Sequence, residues 1–129
     1  MFVIQTQRAD ALDGGIWVNY SGSSFKVAHT SNAKFQRRLA ALQSPHRRAI
    51  EKGTLDPEES RSIVCQALSE AILKGWENVK DQDGNDVPYS QKTAMMALMN
   101  NEGLREFVQE TAADFSAFQD SEVKDKGND

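Results

Sequence analysis

Asp56-Pro57-Glu58-Glu59-Ser60-Arg61-Ser62-Ile63-Val64-Cys65-Gln66-Ala67-Leu68-Ser69-Glu70-Ala71-Ile72-Leu73-Lys74-Gly75 is the stretch that decides the fold. It opens with an acid at the N-cap, proline at the first helical position and two glutamates in the first turn, where they favour the helix dipole. Ile63, Val64, Ala67, Leu68, Ala71 and Ile72 then recur as pairs four residues apart, which predicts a helix with one broad buried face. Lys74 is expected in the last turn, with Gly75 as a left-handed stop. Cys65 lies inside this apolar series and reads as a small buried hydrophobe rather than a reactive thiol.

Upstream, residues 1–30 read as extended. Met1-Phe2-Val3-Ile4 is a short apolar opening, and Asp13-Gly14-Gly15 is a turn signal. Ile16-Trp17-Val18-Asn19-Tyr20 and Phe25-Lys26-Val27-Ala28-His29 flank a four-residue Gly/Ser loop, the pattern of a β-hairpin. Phe25, Val27 and His29 share one face of the second strand, and a hairpin this small needs a covering element. Ser31 or Asn32 can cap a helix whose stripe is Phe35, Leu39 and Leu42. Pro45 breaks or kinks that run, a further short turn of helix follows from His46 to Lys52, and Gly53 ends it.

Downstream, Trp76–Lys80 and Val87–Tyr89 read as short extended segments around the polar loop Asp81-Gln82-Asp83-Gly84-Asn85-Asp86. Ser90 caps a helix carrying Ala94, Met95, Leu98 and Met99, and Asn100-Asn101-Glu102-Gly103 interrupts it. Leu104, Phe107, Val108, Thr111, Phe115 and Phe118 mark a last helix. The expected fold class is α+β, predominantly α-helical. An N-terminal β-hairpin region (residues 1–30) packs on a small helical bundle (31–118), giving a single domain over 1–118 with a disordered, flexible charged C-terminal tail (119–129).

Composition sets outer limits. A chain of 129 residues fits one domain with one core, and 39% hydrophobic against 26% charged residues is ordinary for a water-soluble globule. No apolar run approaches the roughly 20 residues that cross a bilayer, and the opening residues lack the pattern of a secretion signal, so a cytosolic protein without membrane contact is expected. A single cysteine forms no internal disulfide. The net charge of −4 divides unevenly, with +5 on residues 1–52 and −9 on residues 53–129. Such a split suits a bipolar protein that packs against itself or against partners of opposite sign. It also raises nucleic-acid binding by the first half, but no recognisable motif accompanies the basic residues.

The residues that could carry chemistry have plainer readings. In a calcium loop beginning at Asp81, glycine belongs at the sixth position and glutamate at the twelfth; Asp86 and Lys92 stand there, so a solvated turn is expected and no metal. His29 and His46 lack partners at ligand spacing, no serine sits in a nucleophile elbow, and Gly14-Gly15 precedes a strand rather than a helix. Neither catalysis nor a cofactor is indicated. Candidate partner-binding residues remain. Trp76 and Tyr89 flank the polar loop, and although Trp76 reads first as an anchor over the end of the central helix, both residue types are common at interface hot spots. Met95, Met96 and Met99 read as core, with an adaptable recruiting groove as the alternative. Arg37 and Arg38, with Lys34, Arg47, Arg48 and Lys52, form a solvated helical face or a surface for an acidic protein.

Gly75-Trp76-Glu77-Asn78-Val79, the run Asp81–Ser90, the short helix after it and Leu104-Arg105-Glu106-Phe107-Val108 together resemble tail assembly chaperones of long-tailed bacteriophages. Trp17, Phe25-Lys26-Val27-Ala28, Asn32 before Phe35, and Leu55-Asp56-Pro57-Glu58-Glu59 fit the same pattern, so the likeness spans roughly residues 14–118. The resemblance implies a nonstructural assembly factor that binds the tape measure protein, keeps it soluble and recruits tail tube protein. Such a factor acts in the bacterial host cytoplasm and leaves before the virion matures. Many relatives also have a longer frameshifted product, whose extension would begin in the charged tail after Gln119. Trp76, Gly84, Pro88 and Tyr89 match the pattern as structural positions. Two other readings stand beside it: a minor tail or connector protein of the virion, and a small nucleic-acid-binding regulator.

Overall fold

A computed structural model describes residues 9–114. In chain order the elements are α1 (Ala9–Gly14), β1 (Ile16–Tyr20), β2 (Ser23–Val27), α2 (Ala33–Gln43), a 3₁₀ turn (Ser44–His46), α3 (Arg47–Lys52), α4 (Pro57–Ala71), β3 (Leu73–Glu77), α5 (Gln91–Asn100) and α6 (Glu102–Ala112). The expectations for Met1–Ile4, for Phe115 and Phe118, and for the tail at 119–129 lie outside the described residues.

The central helix forms where its signals place it. Asp56 accepts the amide of Glu59, Pro57 takes the first helical position, and Ile63, Cys65, Ala67, Leu68 and Ala71 are buried. This face packs between α2 and α5 and supplies much of the core. The other expected caps also form. Asn32 caps α2, Gly53 closes α3 in the left-handed region at φ 69°, and Ser90 and Thr93 make a reciprocal capping box on α5. Pro45 falls in the 3₁₀ turn that bends α2 into α3.

The sheet is antiparallel in the order β1-β2-β3. Trp17 pairs with Lys26 and Lys26 with Gly75, while Val18 pairs with Phe25 and Phe25 with Trp76. Period-two alternation therefore gives an inner face of Ile16, Phe25, Val27, Leu73 and Trp76, all buried, and an outer face that carries Trp17, Lys26 and Gly75. The register shifts between Lys26 and Val27, which leaves Lys74 as the extra residue of a bulge.

Three sequence expectations need correction. Residues 1–30 are not extended throughout, because residues 9–14 form α1, and Gly15 at φ 102° then turns the chain into β1. A Cβ at Gly15 would lie 3.1 Å from the Val27 carbonyl, so close backbone approach as well as positive φ selects glycine there. Second, the hairpin loop is two residues rather than four. Ser21 and Gly22 both take positive φ (52° and 83°), the turn whose twist matches the flanking strands, and pairing extends through Ser23 and Ser24. Third, α4 does not run to Lys74 and Gly75. It ends at Ala71, and Leu73–Glu77 pairs with β2 instead, so the region 31–118 contains a strand. The apolar set Ile72-Leu73 suits either structure by periodicity, and the unpaired edge of a two-stranded hairpin decided for the strand.

The segment from Ala28 to Asn32 joins these elements. The Ala28 amide donates to the Ile72 carbonyl at 2.8 Å, that of His29 to Leu12 at 2.8 Å, and that of Thr30 to Ala112 at 2.9 Å. The buried Asn32 side chain donates to the His29 carbonyl (2.7 Å) and the Ala71 carbonyl (3.4 Å) and accepts the Phe35 amide (2.9 Å). His29 is buried, its Nδ1 accepts the Ser31 amide at 2.9 Å, and burial pushes its pKa below the ordinary histidine value, with Asp114 opposing. One five-residue stretch thus ties the ends of α1, α4 and α6 to the start of α2. Asn32→Ala should destabilise the fold by ~2–3 kcal/mol in urea titration, combining a lost cap with stranded buried carbonyls. Asn32→Asp should cost at least as much, since it keeps the acceptor but sets a carboxylate against the His29 and Ala71 carbonyls. An aspartate variant as stable as wild type would show that the two donated bonds contribute nothing.

Candidate functional site

Five aromatic rings form a continuous run beneath the sheet. Tyr89 meets Trp76 edge-on (centroids 5.4 Å apart), Trp76 meets Phe25 (6.2 Å), Phe25 meets Tyr20 (6.3 Å), and Tyr20 stacks on Phe107 of α6 (4.7 Å). The edge-to-face contacts suit the ring quadrupoles and fix the relative orientations. Polar tips are anchored as well. Trp76 Nε1 donates to the Val87 carbonyl at 2.7 Å, and Tyr89 Oη donates to the Leu73 carbonyl at 2.5 Å. Burial raises the Tyr89 pKa, so its hydroxyl remains a donor at neutral pH.

A cleft of about 600 Å³ opens along this run, between the hairpin turn, the exit of β3 and the corner where α5 meets α6. Tyr20, Phe25, Trp76 and Leu104 line its floor, and Asn100, Asn101 and Lys80 stand at its rim. Gly103 belongs to the cleft for a steric reason: a Cβ there would lie 2.7 Å from Tyr20 Oη, so any side chain would displace the Tyr20 ring tip. The corner itself is held by side chains that satisfy the last carbonyls of α5. Asn100 donates to Met96, Asn101 to Ala97 and Arg105 to Leu98, each at 2.9 Å. On the opposite wall Ser23 Oγ donates to the Asn78 carbonyl (2.6 Å) and Asn78 Nδ2 to the Gly22 carbonyl (3.0 Å), which locks the turn to the exit of β3. Both walls are therefore built before any ligand arrives.

The polar loop behind the cleft satisfies itself. Asp81 Oδ1 accepts the amides of Asp83 and Asn85, both at 2.9 Å, and the bond from Asn85 is the main cause of its lowered pKa. Lys80 pairs with Asp86, and the Val87 amide donates to Val79, which joins the two expected extended segments in a short antiparallel bridge. Among the described residues, no three His, Cys, Asp or Glu side chains are grouped to hold a metal ion. Cys65 is buried, and burial raises its thiol pKa, which keeps it protonated and unreactive.

The residues singled out from the sequence do not form one patch. Trp76 and Tyr89 join the aromatic run, but Trp76 is only 8% exposed and acts as cleft floor rather than as a protruding anchor. Met95 and Met99 are half-buried against the core, and Met96 is the exposed methionine of α5. Arg38 grips Glu70 of α4 through Nε (2.9 and 3.1 Å to the two carboxylate oxygens), whereas Arg37 stands exposed on α2. Tyr20, Gly103 and Asn101 went unnoticed in the sequence. The first two owe their role to a contact between residues 83 positions apart, which no local pattern announces.

Trp76→Ala should destabilise the fold by about 3–5 kcal/mol, the usual range for emptying a buried aromatic site. Trp76→Phe should cost only ~1–2 kcal/mol, mostly for the Val87 carbonyl left without its donor. The phenylalanine variant retains Trp17 as its sole indole, and its emission should lie at the long wavelengths of a solvated ring. Equal stability of the alanine variant and wild type would contradict the packing described.

A family model described as "YdaY prophage protein" matches residues 30–128. Comparison with curated proteins and with solved structures gives no match. The matched span begins inside the Ala28–Asn32 junction and takes in α2 to α6, so one wall of the cleft lies within it, while β1 and β2 precede it. Because the match covers well over half of the sequence, the chain belongs to the YdaY prophage protein family and is of phage origin.

Proposed function

We propose that this phage protein is a tail assembly chaperone. It binds the tape measure protein, keeps that long helical chain soluble, and helps to bring tail tube subunits to it. It works by binding rather than catalysis, in the bacterial host cytoplasm, and leaves before the virion is complete. The observation that carries this reading is the preformed cleft with its aromatic floor and amide-bearing rim. A groove of that kind suits the apolar stripe of an amphipathic helix, with anchors at i, i+3 and i+4 seated on the rings. A tape measure protein presents such stripes along its length, and they aggregate when left uncovered. The phage origin of the family and the resemblance of residues 14–118 to tail assembly chaperones support the same assignment.

The test is co-expression with the tape measure protein encoded by the same prophage. The soluble fraction of the tape measure protein should rise and the two chains should co-purify. Ala97→Phe places a ring in the cleft and should weaken co-purification at least about tenfold, as expected for blocking a hot-spot pocket, while the melting transition stays cooperative. Purified particles should lack the chain by mass spectrometry. Stoichiometric amounts in particles would instead make it a structural tail or connector protein, and a tape measure protein equally soluble alone would remove the mechanism.

A further inference from the structure

The outer face of the sheet, away from the cleft, carries an uncovered aromatic ring among cations. Trp17 is 48% exposed, more than any other aromatic side chain of the described residues. Its ring lies over Gly75, with its outermost carbon 3.7 Å from where a Cβ would stand, and glycine there leaves room for it. Lys26 is its cross-strand neighbour. The bulge residue Lys74 and Lys34 on the first turn of α2 complete a group of three ammoniums. Burial lowers the Lys74 pKa most, and the neighbouring charges of Lys34 and Lys26 lower it further. Neither Lys26 nor Lys34 forms an ion pair with another described residue. Two acids stand near: Asp13, which favours the Lys74 charge, and Glu77, two residues closer to the hairpin turn.

The same chain carries the complement of this face. On α6, Leu104, Val108 and Ala112 point into the core. Glu102, Glu106 and Glu110 recur every four residues on the opposite side, all exposed, with exposed Gln109 and the C-cap Ala113 beside them. Because Phe107 of α6 stacks on Tyr20 from the inner side of the sheet, the acidic face of α6 and the lysine face of the sheet point away from each other. They cannot meet within one molecule.

We infer that the Trp17–Lys26–Lys34–Lys74 face binds the acidic outer face of α6 in a second copy of this chain, in a head-to-tail contact. Trp17 lies on Ala113 and the methylenes of the glutamates, and the lysines meet the carboxylates around it. A heterologous contact of this type leaves one face open on each end copy, so assembly proceeds by addition unless a ring closes. The interface shares only Glu102 with the lining of the cleft, and its existence does not depend on the chaperone reading.

Sedimentation velocity from about 10 to 500 µM, at roughly 50 and 500 mM salt, tests it, since surface charge pairs are screened across that range. Wild type should self-associate at low salt, with the association weakened at least about tenfold at high salt. Lys26→Gln/Lys34→Gln and Glu106→Gln/Glu110→Gln, which remove the charges without reversing them, should each be monomeric alone. Mixed, they should form a dimer that grows no further, because each supplies one intact face. Wild type monomeric throughout, association untouched by either pair of substitutions, or a mixture that stays monomeric would overturn the proposal. So would an oligothymidylate or poly-glutamate probe that binds the lysine face of a chain that does not self-associate. Acrylamide quenching of wild type alone gives a check independent of the variants: Trp17 should become less accessible as concentration rises at low salt, and constant accessibility would count against the contact.

Discussion

Everything in this fold hangs from the passage between Val27 and Ala33, where backbone that has left the sheet must still find partners in the interior. A buried amide or carbonyl without a partner costs more than a typical hydrogen bond contributes, so each group along this segment constrains a neighbour. Ala28 reaches the end of α4, His29 reaches α1, and Thr30 reaches the end of α6. Asn32 completes the set by serving the His29 and Ala71 carbonyls while capping α2. Moving any of these elements would break one of these bonds.

That junction also positions the cleft. With the end of α6 fixed to Thr30, the helix runs back beneath the sheet, and Phe107 arrives under Tyr20. Gly103 then brings the α5–α6 corner to the hairpin without collision. The floor is formed by Tyr20, Phe25 and Trp76 of the sheet with Leu104 of α6, so the cleft is a by-product of how the core closes. A preformed surface of this kind loses little conformational freedom on binding, which favours capture of an otherwise unstable partner.

Much of this was legible in the residues. Asp56-Pro57-Glu58-Glu59 announces α4, Ser90 announces α5, Asn32 announces α2, and the Asn100–Gly103 interruption separates two helices, because caps and periodicity are local physics. What stayed hidden was decided by distant partners. Leu73–Glu77 reads as the end of a helix until β2 offers it an edge, and residues 9–14 form a helix whose place is fixed by the bond from His29 to Leu12. Trp76 reads from the sequence first as a core anchor and is buried, with Nε1 bonded to the Val87 carbonyl, whereas the bond from Tyr89 to the Leu73 carbonyl has no local signal. Tyr20 and Gly103 approach each other in the cleft without any signal in their own neighbourhoods.

The central claim is that the cleft, and not the basic α2–α3 surface, receives the tape measure protein. Amide hydrogen exchange of this chain, alone and bound to that protein, addresses it directly, because the cleft walls and α3 lie in well-separated peptides. The account predicts slowed exchange at residues 78–80 and 100–104 on binding, with α3 (Arg47–Lys52) unchanged. Protection confined to α2 and α3, or no change at all in the presence of the tape measure protein, would contradict it.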